Sequence, residues 1–308
     1  MRPLRIAIIG FGKIAQDQHV PSIALHDRLE LAATVSRSGT GIEGLAGFRD
    51  HREMLREMPD LDAVAICTPP SVRYDIARDC LEAGLHCLLE KPPAVTLGEI
   101  EDLACIAEGR QLTLFTTWHA QANPAVTAAA ALLASQRIAA MEIVWREDVR
   151  KWHPGQQWIW EPGGFGVFDP GINALSIATH ILPGPIVLDD AELEFPANRE
   201  APIAARLSLR TAAGAPIAMD LDWRQTGPQT WDIQVETDAG PLLLSQGGAV
   251  LTLPSGTSRA EDREYPALYA RFAELIQSRS SEVDTDPLRL VTDAFLRGKA
   301  IPIEPFYD

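Results

Sequence analysis

The first fifteen residues contain the feature that most constrains the fold, an apolar run that ends in a short glycine-rich turn. Residues 4–9 (LRIAII) are nearly all apolar and rich in β-branched side chains, which is typical of a strand buried on both faces. The pattern Gly10-x-Gly12-x-x-Ala15 follows at once. Gly10 permits a tight turn, Gly12 leaves room for a pyrophosphate, and Ala15 lets a helix pack closely on the strand. This order predicts a dinucleotide-binding site, because free N–H groups at a helix start attract phosphate.

The rest of the N-terminal third alternates between apolar runs and helical patterns. Residues 71–84 have the spacing of a helix, and Thr96 with Glu99 forms a capping box at the start of the next one. Such alternation predicts a doubly wound parallel sheet, because right-handed crossovers place helices on its faces. The other strands of this sheet are predicted at residues 29–35, 63–68, 86–90 and 112–117.

The residues after the second predicted strand bear on which dinucleotide is bound. An NAD-binding chain usually has an acidic residue here, which holds the 2′-hydroxyl of the ribose. This chain has Ser36 and Arg37 instead, and a guanidinium beside a hydroxyl can bind a 2′-phosphate. The sequence therefore predicts NADP as the preferred cofactor, with NAD tolerated. A solvated surface arginine is the alternative.

A second chemical motif lies at the end of the strand predicted over residues 86–90. That strand ends in Glu90, and Lys91 and Pro92 follow. Ligands of doubly wound sheets bind at the carboxyl edge of the strands, and a lysine desolvated in such a crevice can act as a general acid or base. Without the glycine motif these residues would indicate only a surface turn. Together, the two motifs make Lys91 a candidate catalytic residue.

Beyond residue 119 the pattern changes to runs of strands. Asn123 and Pro124 begin an alanine-rich helix, and two more helices are predicted near the C-terminus. Consecutive strands separated by glycine-containing turns favour an antiparallel sheet packed on helices. We therefore predict an α/β domain over residues 1–119 and an α+β domain over residues 120–308. The strands of the second domain are predicted at residues 141–148, 205–211, 216–225, 230–238 and 241–245.

Three motifs of this chain occur together in one known family. Gly10-Phe-Gly-Lys-Ile-Ala15, Thr68-Pro69-Pro70 and Glu90-Lys91-Pro92 resemble the glucose–fructose oxidoreductase/inositol dehydrogenase (Gfo/Idh/MocA) family. The resemblance implies a Rossmann domain followed by a domain with an open, mainly antiparallel sheet. It also implies that Lys91 assists proton transfer at a sugar carbon while nicotinamide takes or gives a hydride. The residues expected to bind the cofactor are Gly10, Gly12, Lys13, Ile14, Ala15, Ser36, Arg37, Thr68, Pro69, Glu90 and Lys91.

The segment from Gly163 to Asn173 adds to this resemblance. It is similar to the family's glycine-rich motif that ends in D-x-G-x-H, with Asn173 in place of the histidine that many members have. Asp169 and Asn173 are four residues apart, so on a helix they share one face and can bracket two adjacent sugar hydroxyls. By itself, Asp169 would indicate the cap of a helix that begins at Pro170. An amide does not titrate, which leaves Lys91 as the acid/base in a catalytic set with Asp169 and Asn173.

The asparagine resembles the family members that oxidise aldoses at C1. That resemblance implies NAD(P)-dependent oxidation of L-arabinose, and of D-galactose, to an aldonolactone. Two alternatives stay open: a sugar or polyol dehydrogenase of the inositol type, and a non-catalytic regulator of the same fold that senses NADP. Tryptophan faces suit the C–H face of a sugar, although a tryptophan or histidine is often only structural. The residues expected to bind the sugar are Lys91, His119, Trp152, His153, Asp169, Asn173 and Trp231.

The composition excludes several classes of partner. The 308 residues include 27 Lys and Arg against 42 Asp and Glu, a formal charge of −15, which disfavours nucleic acid and anionic membranes. No apolar run reaches the ~18 residues of a membrane-spanning helix, and no signal peptide is evident. The four cysteines are expected to be free, packed thiols in a reducing cytoplasm, and no metal site is expected. A second copy of the chain, bound through the C-terminal sheet, is an expected partner.

Overall fold

The computed structural model describes residues 2–259, 261 and 263–307, and these residues form two compact units. One unit comprises Met1–His119 with Glu264–Thr285, and the other comprises Ala120–Arg263 with Asp286–Asp308. Within the described residues, the first unit contains a sheet of six strands and the second a sheet of nine. The fold class is α/β, with a Rossmann-type parallel sheet and a mixed, mainly antiparallel one, as predicted.

The sheet of the first unit is parallel at every described pairing, and its strand order places the chain start in the middle. The strands are β1 (Leu4–Ile9), β2 (Leu29–Val35), β3 (Ala46–Phe48), β4 (Ala63–Ile66), β5 (His86–Leu89) and β6 (Leu114–Thr116). Their order is β3-β2-β1-β4-β5-β6, so the direction of winding reverses between β1 and β4. Sheets of this order bind ligands at the carboxyl ends of the strands near the reversal. The helices are a π-helical segment (Ala15–His19) that continues into α1 (Val20–Ala24), then α2 (His51–Glu57), α3 (Pro70–Glu82) and α4 (Leu97–Arg110).

The turn after β1 requires glycine at its first position. Gly10 has a φ of +93°, a left-handed conformation that side chains with a Cβ disfavour. A Cβ on Gly10 would lie 2.6 Å from the backbone nitrogen of Thr68, well inside contact distance. Because of this close approach, the turn after β1 and the turn after β4 pack directly against each other at one edge of the sheet.

The sheet of the second unit has mixed pairing. Its described strands are β7 (Ile138–Arg146), β8 (Ile186–Pro196), β9 (Ala204–Thr211), β10 (Pro216–Asp222), β11 (Thr230–Thr237), β12 (Gly240–Ser245), β13 (Val250–Leu253), β14 (Gly256–Arg259) and β15 (Lys299–Ile303). They lie in the order β14-β13-β12-β11-β7-β10-β9-β8-β15, with parallel pairing only at β7·β10 and β8·β15. Strands β8, β13, β14 and β15 were not predicted from the sequence. These strands lie toward the sheet edges, where exposed or acidic positions and a bulge in β8 weaken the alternation of apolar residues.

Helices cover one face of this second sheet. They include α5 (Pro124–Leu133) and α7 (Phe168–Ile181), and the short α6 (Val149–Trp152) follows β7. A Cβ on Gly171 of α7 would lie 2.6 Å from Cδ1 of Leu221 in β10. The missing side chain therefore lets the first turns of α7 approach the sheet closely, which positions the residues that α7 carries.

The chain returns to the first unit after β14, which differs from the predicted domain at residues 120–308. Helix α8 (Glu264–Ser278) packs against α1, and Phe272 stacks on Phe115 of β6 with ring centroids 6.3 Å apart. The backbone of Glu282 then pairs with Thr116 before α9 (Asp286–Arg297) re-enters the second unit, where it packs on α7 and β8. An amphipathic helix does not specify which core it covers, so the local pattern could not reveal this return.

A buried polar cluster joins α8 to the sheet of the first unit. The side chains of His19 and Glu90 are almost fully buried, with Nε2 of His19 3.0 Å from Oε1 of Glu90. Nδ1 of His19 lies 2.7 Å from the hydroxyl of Tyr269, and the hydroxyl of Tyr265 donates to Oε1 of Glu90 at 2.8 Å. Sγ of Cys67 lies 3.6 Å from Nε2 of His19. Residues from the helix after β1, the end of β5 and α8 thus share one hydrogen-bond network.

The ionisation of this cluster follows from a balance between burial and its neighbours. Burial lowers the pKa of His19, but Cys67, Tyr269 and Glu90 together raise that pKa well above its usual range. Burial raises the pKa of Glu90, but the hydrogen bond and positive charge of His19 outweigh burial and lower it. The two shifts have opposite signs, as expected if His19 and Glu90 form a buried ion pair.

The cysteines of the first unit are free, but they are not all packed. Cys80 and Cys87 are buried, and burial raises the pKa of both thiols. Cys67 is half-buried, and Cys105 is exposed on α4. The expectation of packing was therefore wrong for Cys105, because this residue lies on the solvent face of its helix.

The His19–Glu90 pair should make stability depend on pH in a defined window. Because the pKa of His19 is raised in the folded protein, its interactions add their full stability at pH values below 6.5, the ordinary pKa of histidine. That stability is lost as the pH rises through the pKa that His19 has in the folded protein. The lowered pKa of Glu90 adds stability above its ordinary value of 4.5, which is lost as the pH falls. His19→Gln should therefore reduce the free energy of unfolding most between these values, by about 3 kcal/mol. Urea unfolding at about pH 5.5 and about pH 9 measures the difference.

His51→Gln is the matched control, because His51 pairs with Asp79 at a partly exposed site. Its effect should stay within about 1 kcal/mol at either pH. An equal loss for His19→Gln at both pH values would contradict a buried ion pair.

Candidate active site

The turn after β1 has the shape that a dinucleotide phosphate requires. A Cβ on Gly12 would meet nothing within 4 Å, so open space lies beside the backbone there. Ala15 is fully buried against the sheet, whereas Lys13 and Ile14 are exposed. The N–H groups of the first helical turn have no partners within the helix, and they favour an anion. The residues present therefore fit the phosphates of a dinucleotide.

The loop after β2 holds the residues predicted to choose between NADP and NAD. Ser36 is half-buried, and its hydroxyl donates to the carbonyl of Thr40 at 2.8 Å. The hydroxyl of Ser38 lies 3.2 Å from that of Ser36 and 2.7 Å from that of Thr40. Arg37 is exposed, and no described acidic side chain forms an ion pair with it. Its guanidinium is thus available to an anion from solution.

The turn after β4 lies at the same edge of the sheet as the glycine turn. Thr68 and Pro69 are half-buried here, and Oγ1 of Thr68 is inaccessible to solvent and has no hydrogen-bond partner among the described residues. The guanidinium of Arg73, buried at the start of α3, donates to the backbone carbonyls of Thr68, Glu90 and Pro92. Arg73 thereby ties the turn after β4 to the turn after β5. This role of Arg73 was not predicted from the sequence, because an arginine within a helix pattern indicates an exposed position.

Lys91 is half-buried immediately after β5, and the Lys91–Pro92 peptide is cis. The backbone N–H of Lys91 donates to Oε2 of Glu90 at 2.7 Å. The Glu90 carboxylate also contacts the side chains of His19 and Tyr265. Glu90 thus supports the backbone of Lys91, and its contact with the cofactor stays a prediction.

His119 ends the N-terminal segment of the first unit. Nδ1 of His119 lies 2.7 Å from Oε2 of Glu264, and the ring stacks on Tyr265 with centroids 5.3 Å apart. These contacts orient the ring and leave Nε2 without a partner among the described residues. The first unit therefore gathers the glycine turn, Thr68, Lys91 and His119 at the carboxyl edge of one sheet.

The second unit holds the predicted acid–amide pair near the start of α7. Asp169 is buried, and its Oδ2 lies 3.5 Å from Nε2 of His153. Oδ1 of Asn173 is inaccessible to solvent and has no hydrogen-bond partner among the described residues. The two side chains are one helical turn apart on the same face, as predicted. The alternative that Asp169 caps a helix from Pro170 was wrong, because α7 begins at Phe168 and has no side-chain cap.

Aromatic residues of the second unit line a cleft of about 490 Å³. Trp152 is 44% exposed, and its ring lies 5.6 Å from that of Trp231. The indole N–H groups of Trp231 and Trp223 donate to the two oxygens of the buried Glu147 at 2.9 and 3.2 Å. Glu147, which was not predicted from the sequence, thus holds two tryptophans in place. The lining residues are Lys151, Trp152, Gly227, Pro228, Gln229, Trp231, Asp232 and Gln246.

His153, predicted to bind a sugar hydroxyl, lies between Asp169 and the aromatic residues. Its ring is 5.2 Å from that of Trp223, and its Nδ1 is 3.4 Å from Oε1 of Gln156. In the second unit, the structure therefore places His153 beside Asp169 and Trp152 beside Trp231. Neither contact was evident from spacing along the chain.

The described residues contain no group of three or more His, Cys, Asp or Glu side chains arranged to hold a metal ion. They also contain no helix with the length and apolar character needed to cross a membrane.

Comparison with known proteins covers the whole chain. The profile of the Gfo/Idh/MocA oxidoreductase family, described by its NAD-binding Rossmann fold, matches residues 4–117. Galactose 1-dehydrogenase from Pseudomonas fluorescens is 42% identical over 309 residues, with 100% of both chains covered. The crystal structure of D-galactose-1-dehydrogenase from Rhizobium etli is 51% identical with a TM-score of 0.95, over 100% of this chain and 99% of that one.

A more distant structure shares the fold alone. The 3-ketoreductase KijD10 from Actinomadura kijaniata, in complex with NADP and TDP-benzene, has a TM-score of 0.85 at 20% identity, with 98% and 100% of the two chains covered. Its likeness extends beyond the Rossmann unit to the second sheet. Since a relative at 42% identity spans the full length, the chain belongs to the Gfo/Idh/MocA family of NAD-binding oxidoreductases.

Proposed function

We propose that the protein oxidises an aldose at C1 to the aldonolactone, with NADP as the preferred electron acceptor and NAD as a tolerated one. One observation carries the proposal: the buried, unpartnered amide oxygen of Asn173 lies one helical turn from the Asp169 carboxylate. An unpaired buried acceptor is costly unless a ligand donates to it, and two adjacent sugar hydroxyls are suitable donors. The two full-length relatives named as galactose 1-dehydrogenases support D-galactose as a substrate.

L-Arabinose is proposed as a second substrate on chemical grounds. L-Arabinopyranose has the configuration of D-galactopyranose at C2, C3 and C4, and it lacks only the hydroxymethyl group at C5. A site that recognises the hydroxyls near C1 would therefore accept both sugars. Their relative rates depend on how the enzyme accommodates the hydroxymethyl group.

The proposed roles of the side chains follow from their chemistry. When bound, the nicotinamide supplies the acceptor for the hydride that leaves C1. Lys91 accepts the proton of the C1 hydroxyl, so that the C1–O bond becomes the carbonyl of the lactone. Asp169 orients the reacting hydroxyl. Asn173, which does not titrate, holds the neighbouring hydroxyl without exchanging protons.

The remaining predicted contacts are proposed to recognise the sugar rather than react with it. His119 and His153 are oriented by Glu264 and Asp169, respectively, and each can exchange a hydrogen bond with a hydroxyl. Trp152, partly exposed, offers an aromatic surface to the C–H face of a pyranose beside Trp231.

A cytoplasmic location stays a prediction. It is supported by the four free cysteines, because a reducing compartment keeps thiols from pairing.

Lys91→Met should lower kcat by at least about 10³-fold, because the substituted side chain cannot accept a proton. Turnover is measured by the absorbance of reduced nicotinamide with D-galactose, L-arabinose and a polyol such as myo-inositol. Binding of NADP, measured by protein fluorescence, should change little. Lys299→Met on the exposed strand β15 is the matched control and should leave kcat unchanged.

The outcomes of this panel separate the alternatives. Near-normal kcat in Lys91→Met would remove the lysine from its role. Preference for the polyol would favour an inositol-type dehydrogenase. Tight NADP binding without reduction by any sugar would favour a non-catalytic regulator.

Arg37→Ala should reduce the NADP/NAD ratio of kcat/KM by about 10-fold or more, because a charge-assisted bond to the 2′-phosphate is lost. Arg56→Ala, which removes an exposed arginine from α2, should not change this ratio. If the ratio stayed the same in Arg37→Ala, the proposed preference for NADP would have to rest on other residues.

We also propose that the second sheet binds a second copy of the chain through the face opposite its helices. Side chains on this face are polar and form ion pairs across strands, as Arg146 does with Asp220 and Arg224 with Glu194. The alternating burial of β9 and β10 shows that this face is the more exposed one. A flat surface with charges of both signs can pair with its own copy about a two-fold axis.

Light scattering should therefore give a mass that is at least twice the 33.6 kDa of a single chain. Ala218→Arg, at an exposed position in β10, should shift the mass toward that of a single chain, because a bulky charge interrupts the surface. Ala213→Arg in the turn after β9 is the control and should not. A single-chain mass for the unaltered protein would exclude the proposal.

A further inference from the structure

We propose that Glu90 and Tyr265 are positioning residues for Lys91, which they hold through its backbone. The inference rests on the proposed role of Lys91 as the acid/base. It goes beyond that role because it assigns a function to the Glu90 carboxylate, which accepts from the backbone N–H of Lys91. It also assigns a function to Tyr265, which lies 175 residues from Glu90 in the chain and donates to that carboxylate.

The backbone around Lys91 is held on both sides. Its N–H donates to Oε2 of Glu90 at 2.7 Å, which fixes the peptide plane that precedes the lysine. The buried guanidinium of Arg73 binds the carbonyls of Glu90 and Pro92, which flank Lys91 in the chain. The direction in which the lysine side chain leaves the backbone is set by these contacts.

The Glu90 carboxylate is itself held by two donors at its other oxygen. Oε1 accepts from Nε2 of His19 at 3.0 Å and from the hydroxyl of Tyr265 at 2.8 Å. Glu90 and Tyr265 are only 4% and 5% exposed, so water cannot replace a lost donor easily. Charge-assisted hydrogen bonds in such surroundings are strong and directional. Removing one of them should let the carboxylate, and with it the lysine backbone, shift.

Small shifts of this kind matter for turnover more than for binding. Proton transfer depends on the reacting atoms being within hydrogen-bond distance, and a misplacement of about 1 Å can cost about 10²-fold in rate. The nucleotide turn at Gly12 and the Asp169–Asn173 pair bind their ligands through other residues. Loss of the Tyr265 hydroxyl should therefore lower kcat and leave ligand affinities nearly unchanged.

The test is Tyr265→Phe, which removes one hydroxyl and keeps the ring. We expect kcat with D-galactose to fall about 10-fold, while KM for the sugar and Kd for NADP stay within about 2-fold. Glu90→Gln, which loses the charge, should lower kcat further with the same pattern. Tyr74→Phe is the matched control, because its hydroxyl also donates to a carboxylate, that of Asp102, but on the surface between α3 and α4. It should leave kcat unchanged.

A double variant distinguishes this inference from the proposed function. If Tyr265 acts through Lys91, Lys91→Met with Tyr265→Phe should have the same residual kcat as Lys91→Met alone. The inference is overturned if Lys91→Met is nearly inactive while Tyr265→Phe, folded by circular dichroism, turns over within about 2-fold of the unaltered protein. It is also overturned if KM and Kd rise with kcat unchanged. If Lys91→Met is itself active, the proposed function fails first, and the inference fails with it.

Discussion

The buried carboxylate of Glu90 is the interaction on which the first unit most depends. A charge without water must be compensated by donors, and the donors here come from distant parts of the chain. His19 follows the nucleotide turn, Tyr265 lies on α8, and the third donor is the backbone of Lys91. The hydrogen bonds of this one carboxylate therefore connect α8, and the helix that follows the nucleotide turn, to the end of β5.

Close contacts with the backbone also position the turns at this edge of the sheet. The conformation of Gly10 brings the turn after β1 onto the backbone of Thr68, and Arg73 ties the turn at Thr68 to the carbonyls beside Lys91. Three turns that are separate in the sequence thus meet at one edge of the sheet. These contacts hold the proposed catalytic lysine at a defined position relative to the proposed phosphate-binding turn.

In the second unit, the close packing of α7 on the sheet determines the positions of Asp169 and Asn173. Gly171 lets α7 approach β10, and Asp169 and Asn173 are carried with it into largely buried positions. His153 contacts Asp169, whereas Oδ1 of Asn173 has no hydrogen-bond partner among the described residues. An unpaired buried acceptor is costly, which supports the proposal that a ligand donates to it.

Features with a local cause could be predicted from the sequence. Thr96 and Glu99 form the capping box, and Asn123 caps α5, because a cap depends only on residues three positions apart or fewer. The core strands β1, β2, β4 and β5 were found because apolar residues predominate in each. The strands β8 and β15 at one end of the second sheet were missed, and the interpretation of Asp169 as a cap was wrong, because at these positions packing against distant elements outweighs the local pattern.

The sequence by itself determined the family, the nucleotide turn and the residue types of the site, since these reside in short motifs whose chemistry is local. Only the tertiary structure decided that α8 belongs to the first unit, that the Glu90 carboxylate supports the backbone of Lys91, and that Arg73 and Glu147 hold the residues around them. The physical reason is the same in each case. A buried polar group must find partners wherever the fold provides them, and those partners are set by contact in space rather than by distance along the chain.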